Sequence, residues 1–346
     1  MSNPAIRYLV LWLTGACNLR CRYCYRKADT ALVMSKGVIR KALTLAAVSG
    51  LPFHVQLSGG EAMLEPDLVE FVGKTVRDAG WPATVAVQTN GTLMSESLIR
   101  MCRRYAIRIG VSVDGPPDLQ EKVRGKAKDL FNGLGLLEKM GEPVRITAVL
   151  SSFNAHRLED LVLTLARFNN VTGIGLDPLV LTGAAQGAFD LQPEAEAVRT
   201  GVRQMAEAVT WVNGRNKRNI VWREMDLVGR TLSHEEPVRP YCHACSGESL
   251  AVGPGGEAYP CAQTIGDRAM TVGTVQDINW KRLTACYKDV VGMTGECMTC
   301  SLAGRCPGDC LSRLYYNAGK VPSVMCVVYR AIAERLTEKH IRRNLS

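Results

Sequence analysis

Six short apolar runs alternate with amphipathic helical patterns through the first 190 residues, and this alternation limits the possible folds more than any other feature. The apolar runs, each predicted to form a strand, are 8–13, 53–58, 84–89, 107–113, 144–150 and 172–177. The patterns typical of helices are 36–48, 66–79, 95–105, 128–140 and 157–168. Strands that alternate with helices form a parallel sheet covered by helices. Six such units are fewer than the eight of a closed TIM barrel, so we predict an α/β fold with a partial, TIM-like (β/α)6 barrel.

Glycine-rich or polar segments follow four of these runs, at the end where a barrel carries its chemistry. Cys17 follows the first run, "SGGE" (58–61) ends the second, "TNG" (89–91) the third and "SVDG" (112–115) the fourth. Because the carboxyl ends of parallel strands meet at one edge of a sheet, we expect all four segments at one mouth of the barrel.

The character of the sequence changes after residue 190. Residues 190–235 have helical, connective patterns, and cysteine-rich loops with little periodicity follow from Cys242 onward. Within these loops "SLAVGPGGEAYPC" (249–261) predicts a hairpin of two short strands around a Gly/Pro turn. We therefore expect three parts: a barrel at 1–190, a helical connector at 191–240, and a cysteine-rich domain with a C-terminal helix at 241–346.

Composition is that of a globular protein without a membrane span. Hydrophobic residues make up 47% of the chain, and no uncharged apolar run reaches the roughly 18 residues of a spanning helix. The run 8–17 ends in a cysteine but has only Arg7 as upstream charge, so we do not interpret it as a secretory signal. We expect a cytoplasmic protein that does not act at a membrane.

The net charge of +9 comes from 42 basic and 33 acidic residues, and part of the excess lies in 214–218 and 330–346. A solvated surface explains the excess positive charge, together with a C-terminal helix whose residues Ile332, Leu336 and Ile341 face inward. An acidic partner, such as a peptide leader or RNA, is the alternative. The chain lacks the interleaved aromatic and basic residues of single-strand recognition, so a nucleic acid partner is not expected.

Eleven of the 13 cysteines occur in close-set groups, which in a cytosolic chain indicates metal rather than disulfides. The first group has only three members, Cys17, Cys21 and Cys24. A structural zinc site is closed by four protein ligands, whereas a catalytic metal needs an open position. We therefore expect that the fourth ligand of this site is not a protein side chain.

The spacing C-x3-C-x2-C with the aromatic Tyr25 next to it resembles the signature of the radical S-adenosylmethionine (SAM) enzymes. The resemblance implies a [4Fe-4S] cluster held by the first three cysteines, with SAM on the open iron. It also implies reductive cleavage of SAM to a 5′-deoxyadenosyl radical, with an electron from a flavodoxin or ferredoxin.

The same resemblance implies which residues contact SAM. "GGE" after the second strand is the segment that binds the amino group, since glycines allow backbone to approach and a carboxylate pairs with an ammonium. Ser112 matches the contact to the ribose and Arg124 the contact to the methionine carboxylate. Asp114 is also explained as a turn former before Gly115 and Pro116. The candidate SAM-binding residues are Tyr25, Ser58, Gly59, Gly60, Glu61, Asn90, Ser112, Asp114 and Arg124.

The later cysteines resemble a SPASM domain, which holds two auxiliary [4Fe-4S] clusters in enzymes that modify peptides and proteins. The resemblance implies one cluster on Cys242, Cys245, Cys261 and Cys310, and the other on Cys297, Cys300, Cys306 and Cys326. It gives three clusters in all and a precursor peptide or protein as substrate. A pair of four-cysteine zinc sites is the alternative, since tetrahedral sulfur suits either metal.

Two cysteines stand apart from these groups. Cys102 has the helical spacing of a small buried hydrophobe. Cys286 lies between the two auxiliary groups, where a thiol either packs or returns a hydrogen atom to a substrate radical. Seven residues precede the first strand, so we expect a leader peptide to be recognised by another surface or a separate protein.

The residues after Cys261 bear on the reaction. In the sulfatase-maturing branch of the family the corresponding cysteine is followed by an Asp that removes a proton, but here Ala262 and Gln263 follow, and neither is a base at neutral pH. A crosslink, or an epimerisation that uses Cys286, is therefore expected rather than formylglycine. The rivals are a SPASM-type oxidase of a small molecule or tetrapyrrole and a zinc-stapled RNA-binding protein.

Overall fold

A computed structural model describes residues 3–26, 31–216, 219–233, 241–287, 290, 295–306, 308–317 and 323–344. The predicted boundary at residue 240, the basic residues 217–218 and the last two residues of the C-terminal tail lie outside this described part.

All six predicted strands are present and pair in chain order as a parallel sheet. They are β1 (Tyr8–Trp12), β2 (Phe53–Ser58), β3 (Ala83–Thr89), β4 (Ile107–Ser112), β5 (Val144–Leu150) and β6 (Val171–Pro178). The helices between and after them are α1 (Lys36–Ala47), α2 (Pro66–Asp78), α3 (Glu96–Arg104), α4 (Pro117–Val123), α5 (Ala127–Lys139) and α6 (Leu158–Leu165). This confirms the predicted α/β fold class. The short α4 was not predicted, because its start at Pro116 and Pro117 indicates a turn as strongly as the first turn of a helix.

Strict alternation of side chains places the core on one face of the sheet. Leu9 and Leu11 of β1 and Val55 and Leu57 of β2 are fully buried against the helices. The residues between them point to the other face, which lines the inside of the barrel. That face carries polar groups, such as those of His54, Gln56 and Ser58 of β2.

The predicted connector adds one strand to the barrel. It forms α7 (Ala195–Asn216), the two-residue β7 (Val221–Trp222) and α8 (Arg223–Ser233). β7 pairs in parallel with β6 and so extends the sheet beyond the predicted units. Two residues are too few for a detectable period, which is why the sequence did not predict β7.

The cysteine-rich part joins the same sheet at its other edge. β8 (Ser249–Val252) pairs in parallel with β1, and β9 (Ala258–Tyr259) pairs antiparallel with β8, which confirms the predicted hairpin. The order of the sheet is β7-β6-β5-β4-β3-β2-β1-β8-β9. The remaining elements are β10 (Gly273–Thr274), β11 (Asp277–Ile278), α9 (Trp280–Ala285), α10 (Gly295–Met298), α11 (Leu311–Tyr316) and α12 (Val324–Asn344).

The C-terminal helix α12 packs against α7 and α8 of the barrel. Ile332 is buried and Leu336 is partly buried, as predicted, whereas the side chain of Ile341 lies outside the described part. Val328 of the same helix is also buried. Two arginines of α7 pair with two glutamates of α12: Arg199 with Glu334 at 3.1 Å and Arg203 with Glu338 at 2.9 Å. In the described residues no helix has the length and apolar character that crossing a membrane requires.

Replacing Gly201 of α7 by alanine is expected to destabilise the protein, although alanine is the better helix former by about 1 kcal/mol. A Cβ at this position would lie 1.8 Å from the carbonyl oxygen of Ala155. We expect the overpacking to lower the free energy of unfolding by about 1–3 kcal/mol in urea denaturation. Gly214→Ala is the matched control, because Gly214 lies in the same helix and its absent Cβ has no neighbour within 4 Å. Equal effects of the two substitutions would contradict this account.

Candidate functional site

The first three cysteines lie in the loop that follows β1, at the mouth of the barrel. The backbone N–H of Cys24 donates to the carbonyl of Cys21 at 3.2 Å, and that of Arg22 donates to the carbonyl of Val123 at 3.1 Å. The loop is therefore curled and fixed to the end of α4. The three thiols are close enough to interact electrostatically, and burial raises the pKa of the Cys21 thiol to about 11.

Gly59 and Gly60 let the end of β2 approach the backbone that precedes Cys17. A Cβ on Gly59 would lie 2.6 Å from the carbonyl oxygen of Thr14, and one on Gly60 would lie 2.1 Å from that of Ala16. The N–H groups of Gly60 and Glu61 donate to the same two carbonyls at 2.8 and 2.9 Å. Glycine is thus required at both positions because the backbone before Cys17 lies against them, and not only because a ligand would have to come close.

The Glu61 carboxylate is buried and accepts three hydrogen bonds from the protein. Its Oε1 accepts from the N–H of Met63 at 3.0 Å and the hydroxyl of Thr89 at 2.7 Å, and its Oε2 accepts from the N–H of Asn90 at 2.7 Å. Burial raises the pKa of Glu61, while these bonds act in the opposite direction. The carboxylate therefore fixes the end of β3 against the end of β2, a task that the sequence argument did not assign to it.

Asn90 connects the end of β3 to the cysteine loop. Its Nδ2 donates to Oδ1 of Asn18 at 2.8 Å, and its Oδ1 accepts from the hydroxyl of Thr92 at 2.7 Å. Asn18, which lies between Cys17 and Cys21, also donates to the Thr92 hydroxyl at 2.8 Å. Asn18 and Thr92 were not predicted, although Asn18 lies inside the cysteine motif.

Asp114 is a buried anchor and more than a turn former. Its carboxylate accepts from Nε of Arg124 at 2.7 Å, from the N–H of Val149 at 2.8 Å and from the hydroxyl of Tyr23. Tyr23 belongs to the cysteine loop, Arg124 ends α4 and Val149 lies in β5, so one carboxylate joins three elements. Two nitrogens of Arg124 donate to Asp114 in this ion pair, and its guanidinium lies 5.3 Å from the centre of the Tyr23 ring.

Ser112 ends β4, and its hydroxyl accepts from Nε2 of Gln88 at 2.9 Å. The structure therefore brings all the predicted SAM-binding residues to the mouth, at the ends of β2, β3 and β4 and in the segments that follow β1 and β4. Their contacts to SAM remain predictions.

Tyr25 lies between the first cysteine group and the cysteine-rich part. Burial raises the pKa of its hydroxyl, with further effects from the Cys24 and Cys261 thiols and an interaction with the Ser58 hydroxyl. A cavity of about 210 Å³ opens beside it. The cavity is lined from the barrel side by Trp12, Tyr25 and Arg26, and from the hairpin side by Pro254, Glu257, Tyr259 and Ala262.

The eight later cysteines fall into two groups in space. The thiol of Cys242 interacts with those of Cys245 and Cys310, and Cys261 also interacts with Cys310. The Cys306 thiol interacts with those of Cys326, Cys300 and Cys297. We call these the inner quartet (Cys242, Cys245, Cys261 and Cys310) and the outer quartet (Cys297, Cys300, Cys306 and Cys326); they are the sets that the resemblance implies, and their role as cluster ligands stays a prediction.

The donor set fits iron–sulfur clusters. In the described residues no three His, Cys, Asp or Glu side chains converge closely enough to hold a single metal ion. A [4Fe-4S] cluster takes one thiolate on each iron, so its ligands surround it rather than converge on one point. Each quartet supplies four thiols, and the first group supplies three.

Asp177 is a charged residue of the barrel interior that the sequence analysis missed. It lies near the end of β6, and its carboxylate accepts from Nη2 of Arg223 at 2.9 Å. The side chains of Asp177 and Arg223 retain 40% and 45% of their exposure. Burial alone would raise the pKa of Asp177, but the guanidinium groups of Arg223 and Arg313 lower it, and the carboxylate stays ionised at neutral pH.

Gly175 makes room for this ion pair, since a Cβ there would lie 3.0 Å from the guanidinium carbon of Arg223. The carboxylate of Asp177 raises the pKa of Tyr25 and of Cys261, so it lies within electrostatic range of both side chains. The sequence feature that could have identified Asp177 is its place as a polar residue near the end of the sixth strand, on the same face as Gly175.

The two isolated cysteines lie in different environments. Cys102 is fully buried in α3, which agrees with the prediction of a small hydrophobe. Cys286 follows α9 and packs, half-buried, against apolar side chains, and burial raises the pKa of its thiol. Its proposed role as a hydrogen donor stays a prediction.

Residues 13–165 match the family model described as the Radical SAM superfamily. The matched segment contains the first cysteine group and β2 to β5, and the match confirms the resemblance that the cysteine spacing indicates.

Two curated relatives share this part of the chain. The serine-type anaerobic sulfatase-maturating enzyme of Bacteroides thetaiotaomicron is 30% identical over 169 residues, 43% of this chain and 40% of its own length. The GTP 3′,8-cyclase of Aquifex aeolicus is 28% identical over 187 residues, 51% of this chain and 56% of its own length. Each match thus spans less than two thirds of the relative.

Two solved structures share the fold over most of the chain. The structure of anSMEcpe with bound AdoMet and Kp18Cys peptide has a TM-score of 0.79 at 18% identity, covering 97% of this chain and 98% of that one. Streptococcus suis SuiB bound to precursor peptide SuiA has a TM-score of 0.64 at 16% identity, covering 93% and 75%. At these identities the likeness concerns the fold.

Glu61→Gln should disturb the mouth of the barrel. A glutamine amide must direct its NH2 group toward one of the donors that the carboxylate now accepts, which leaves a buried donor without an acceptor. We expect the free energy of unfolding to fall by about 1–3 kcal/mol in urea denaturation, and SAM binding to the reconstituted protein to weaken in calorimetry. Glu65→Gln is the control, because Glu65 precedes α2 and its side chain makes no capping bond. If the Glu61 and Glu65 variants behave alike, Glu61 does not organise the mouth.

Proposed function

We propose that this protein is a SPASM-type radical SAM enzyme that holds three [4Fe-4S] clusters and modifies a peptide or protein. The observation that carries the proposal is the position of Tyr25, whose hydroxyl lies within electrostatic range of Cys24 in the first cysteine group and of Cys261 in the inner quartet. A group bound there has an iron–sulfur site on either side. A flavodoxin or ferredoxin is the proposed electron donor, and the cytoplasm the proposed location.

The residues of the mouth would hold the cofactors as follows. Cys17, Cys21 and Cys24 would ligate the first cluster, with SAM against Gly59, Gly60 and Ser112. When bound, this pair supplies the 5′-deoxyadenosyl radical that removes a hydrogen atom from substrate. Glu61 and Asp114 fix the strand ends and the cysteine loop, so their part is to hold the geometry. The same inner and outer quartets would ligate the two auxiliary clusters.

A peptide substrate is supported by the cavity and by two relatives in fold. The cavity beside Tyr25 is lined largely by aromatic and apolar side chains, among them Trp12 and Tyr259, with the Glu257 carboxylate as a polar group. Such a lining suits the side chain of a peptide residue. Both anSMEcpe and SuiB were solved with peptides bound.

A small-molecule substrate is the second candidate, favoured by the likeness of the radical SAM domain to a GTP 3′,8-cyclase. Substrate-dependent formation of 5′-deoxyadenosine distinguishes the two. A peptide encoded beside the gene should stimulate it, and stimulation by nucleotides alone would favour the second candidate. Protein that contains zinc instead of iron would favour the zinc-stapled alternative.

Within peptide modification we propose crosslink formation. Joining two substrate positions removes two hydrogens: one leaves as a hydrogen atom to the radical, and the other as a proton and an electron. Asp177 is ionised and lies near Cys261, so its carboxylate would accept the proton. An auxiliary iron–sulfur cluster on the inner quartet would accept the electron.

Replacing Cys17, Cys21 and Cys24 together by alanine should abolish 5′-deoxyadenosine formation and leave about eight irons per chain, because each quartet has its own ligands. Liquid chromatography of the nucleoside and iron analysis measure the two quantities. The alanine variant of the isolated Cys102 is the control and should keep about twelve irons. Cleavage of SAM by the triple variant would refute the assignment of the first cluster.

Mass spectrometry of the modified peptide should find a loss of two hydrogens, as a crosslink requires. Asp177→Asn should retain formation of 5′-deoxyadenosine but greatly reduce this product, since the hydrogen atom still leaves and the proton acceptor is missing. An unchanged mass with deuterium uptake from solvent, abolished in Cys286→Ala, would instead identify an epimerase.

A further inference from the structure

Arg330 lies beside the outer quartet. It follows Cys326 by four residues in α12, so the two side chains lie on one face of the helix. Arg330 also lines a surface cavity of about 250 Å³ together with Cys300, Glu296, Thr299, Ser301 and Glu334. Its half-buried guanidinium therefore lies next to two of the four thiols in this quartet.

The contact is electrostatic. The positive charge of Arg330 interacts with the Cys300 and Cys326 thiols and with the Glu296 carboxylate. Glu334, which lines the same cavity, is ion-paired with Arg199 through two contacts of 3.1 and 3.2 Å. Arg330 thus directs its positive charge toward the sulfur atoms.

We propose that Arg330 raises the reduction potential of the iron–sulfur cluster held by the outer quartet. Reduction adds negative charge to a cluster, and hydrogen bonds to its sulfurs together with nearby charge set its potential. A fixed positive charge at the thiolates favours the reduced state. The inference rests on the proposed ligand set, and it concerns a positioning residue that is itself no ligand.

The test is a redox titration followed by electron paramagnetic resonance, in the background of Cys17→Ala, Cys21→Ala and Cys24→Ala. Two auxiliary potentials are then observed. Arg330→Gln should lower one of them and leave the other in place. We expect at least a tenfold change in the ratio of reduced to oxidised cluster at fixed potential, about 59 mV for a one-electron couple. Arg330→Lys, which keeps the charge, should shift the potential less.

Two further variants show whether the effect is local. Arg335→Gln removes a charge from the same helix, where Arg335 pairs with Glu207 at 3.3 Å, and should change neither potential. Glu296→Gln removes a negative charge beside Arg330 and should raise the potential that Arg330→Gln lowers.

Unchanged potentials in Arg330→Gln with about eight irons retained would overturn the inference and leave the proposed function standing. Only about four irons in the background protein would refute the ligand assignment, and the inference with it. If Arg330→Gln loses iron, the Glu296→Gln variant becomes the test of the inference. An outer-quartet potential that does not rise in Glu296→Gln would then overturn the proposed role of Arg330.

Discussion

Strand β1 has hydrogen-bonded neighbours on both sides, and the arrangement of the site depends on this pairing. On one side Leu11 pairs with Leu57 of β2, and on the other side it pairs with Val252 of β8. The first cysteine loop continues from β1, the glycines that support this loop continue from β2, and Cys261 follows the hairpin that β8 begins. Three segments distant in sequence are therefore fixed relative to one another by backbone hydrogen bonds, whose geometry does not depend on side-chain identity. The cavity beside Tyr25 is a consequence of this arrangement.

Buried carboxylates fix the position of the cysteine loop and of the strand ends where backbone pairing does not. A buried ion pair contributes little net stability, because desolvation offsets the attraction, but it tolerates few alternative geometries. The Asp114 carboxylate has donors from the cysteine loop, α4 and β5, and the Glu61 carboxylate has donors from both sides of the gap between β2 and β3. Movement of the cysteine loop would leave these carboxylates without their donors in a nonpolar environment, which is costly. The mouth is therefore organised before any ligand binds.

The sequence predicted the elements that local periodicity encodes. Strands such as 53–58 and 144–150 were predicted to the residue, because alternating or continuous apolar runs bounded by turn residues leave little choice. Membership of the two quartets was implied by the family resemblance, since spacing alone places Cys310 with Cys297, Cys300 and Cys306. The parallel pairing of β8 with β1 was not predicted, because it joins positions about 240 residues apart and no local pattern encodes a long-range partner. For the same reason Glu61 and Asp114 were recognised as site residues, but their internal donors were not.

The charges around the two quartets differ in a way that bears on the direction of electron flow. Near the inner quartet, Arg313 is buried and ion-paired with Asp309, so its charge is neutralised locally. Arg223 is likewise paired with Asp177 and with Glu224. At the outer quartet, Arg330 directs its charge toward Cys300 and Cys326, while Glu334 of the same cavity is paired with Arg199. A cation paired with a buried carboxylate contributes little to the local potential, whereas Arg330, which faces two thiols as well as Glu296, favours added negative charge at the sulfur atoms. Under the proposed ligand assignment, this asymmetry makes the outer cluster the easier of the two to reduce, so an electron that leaves substrate near Asp177 would move outward rather than return.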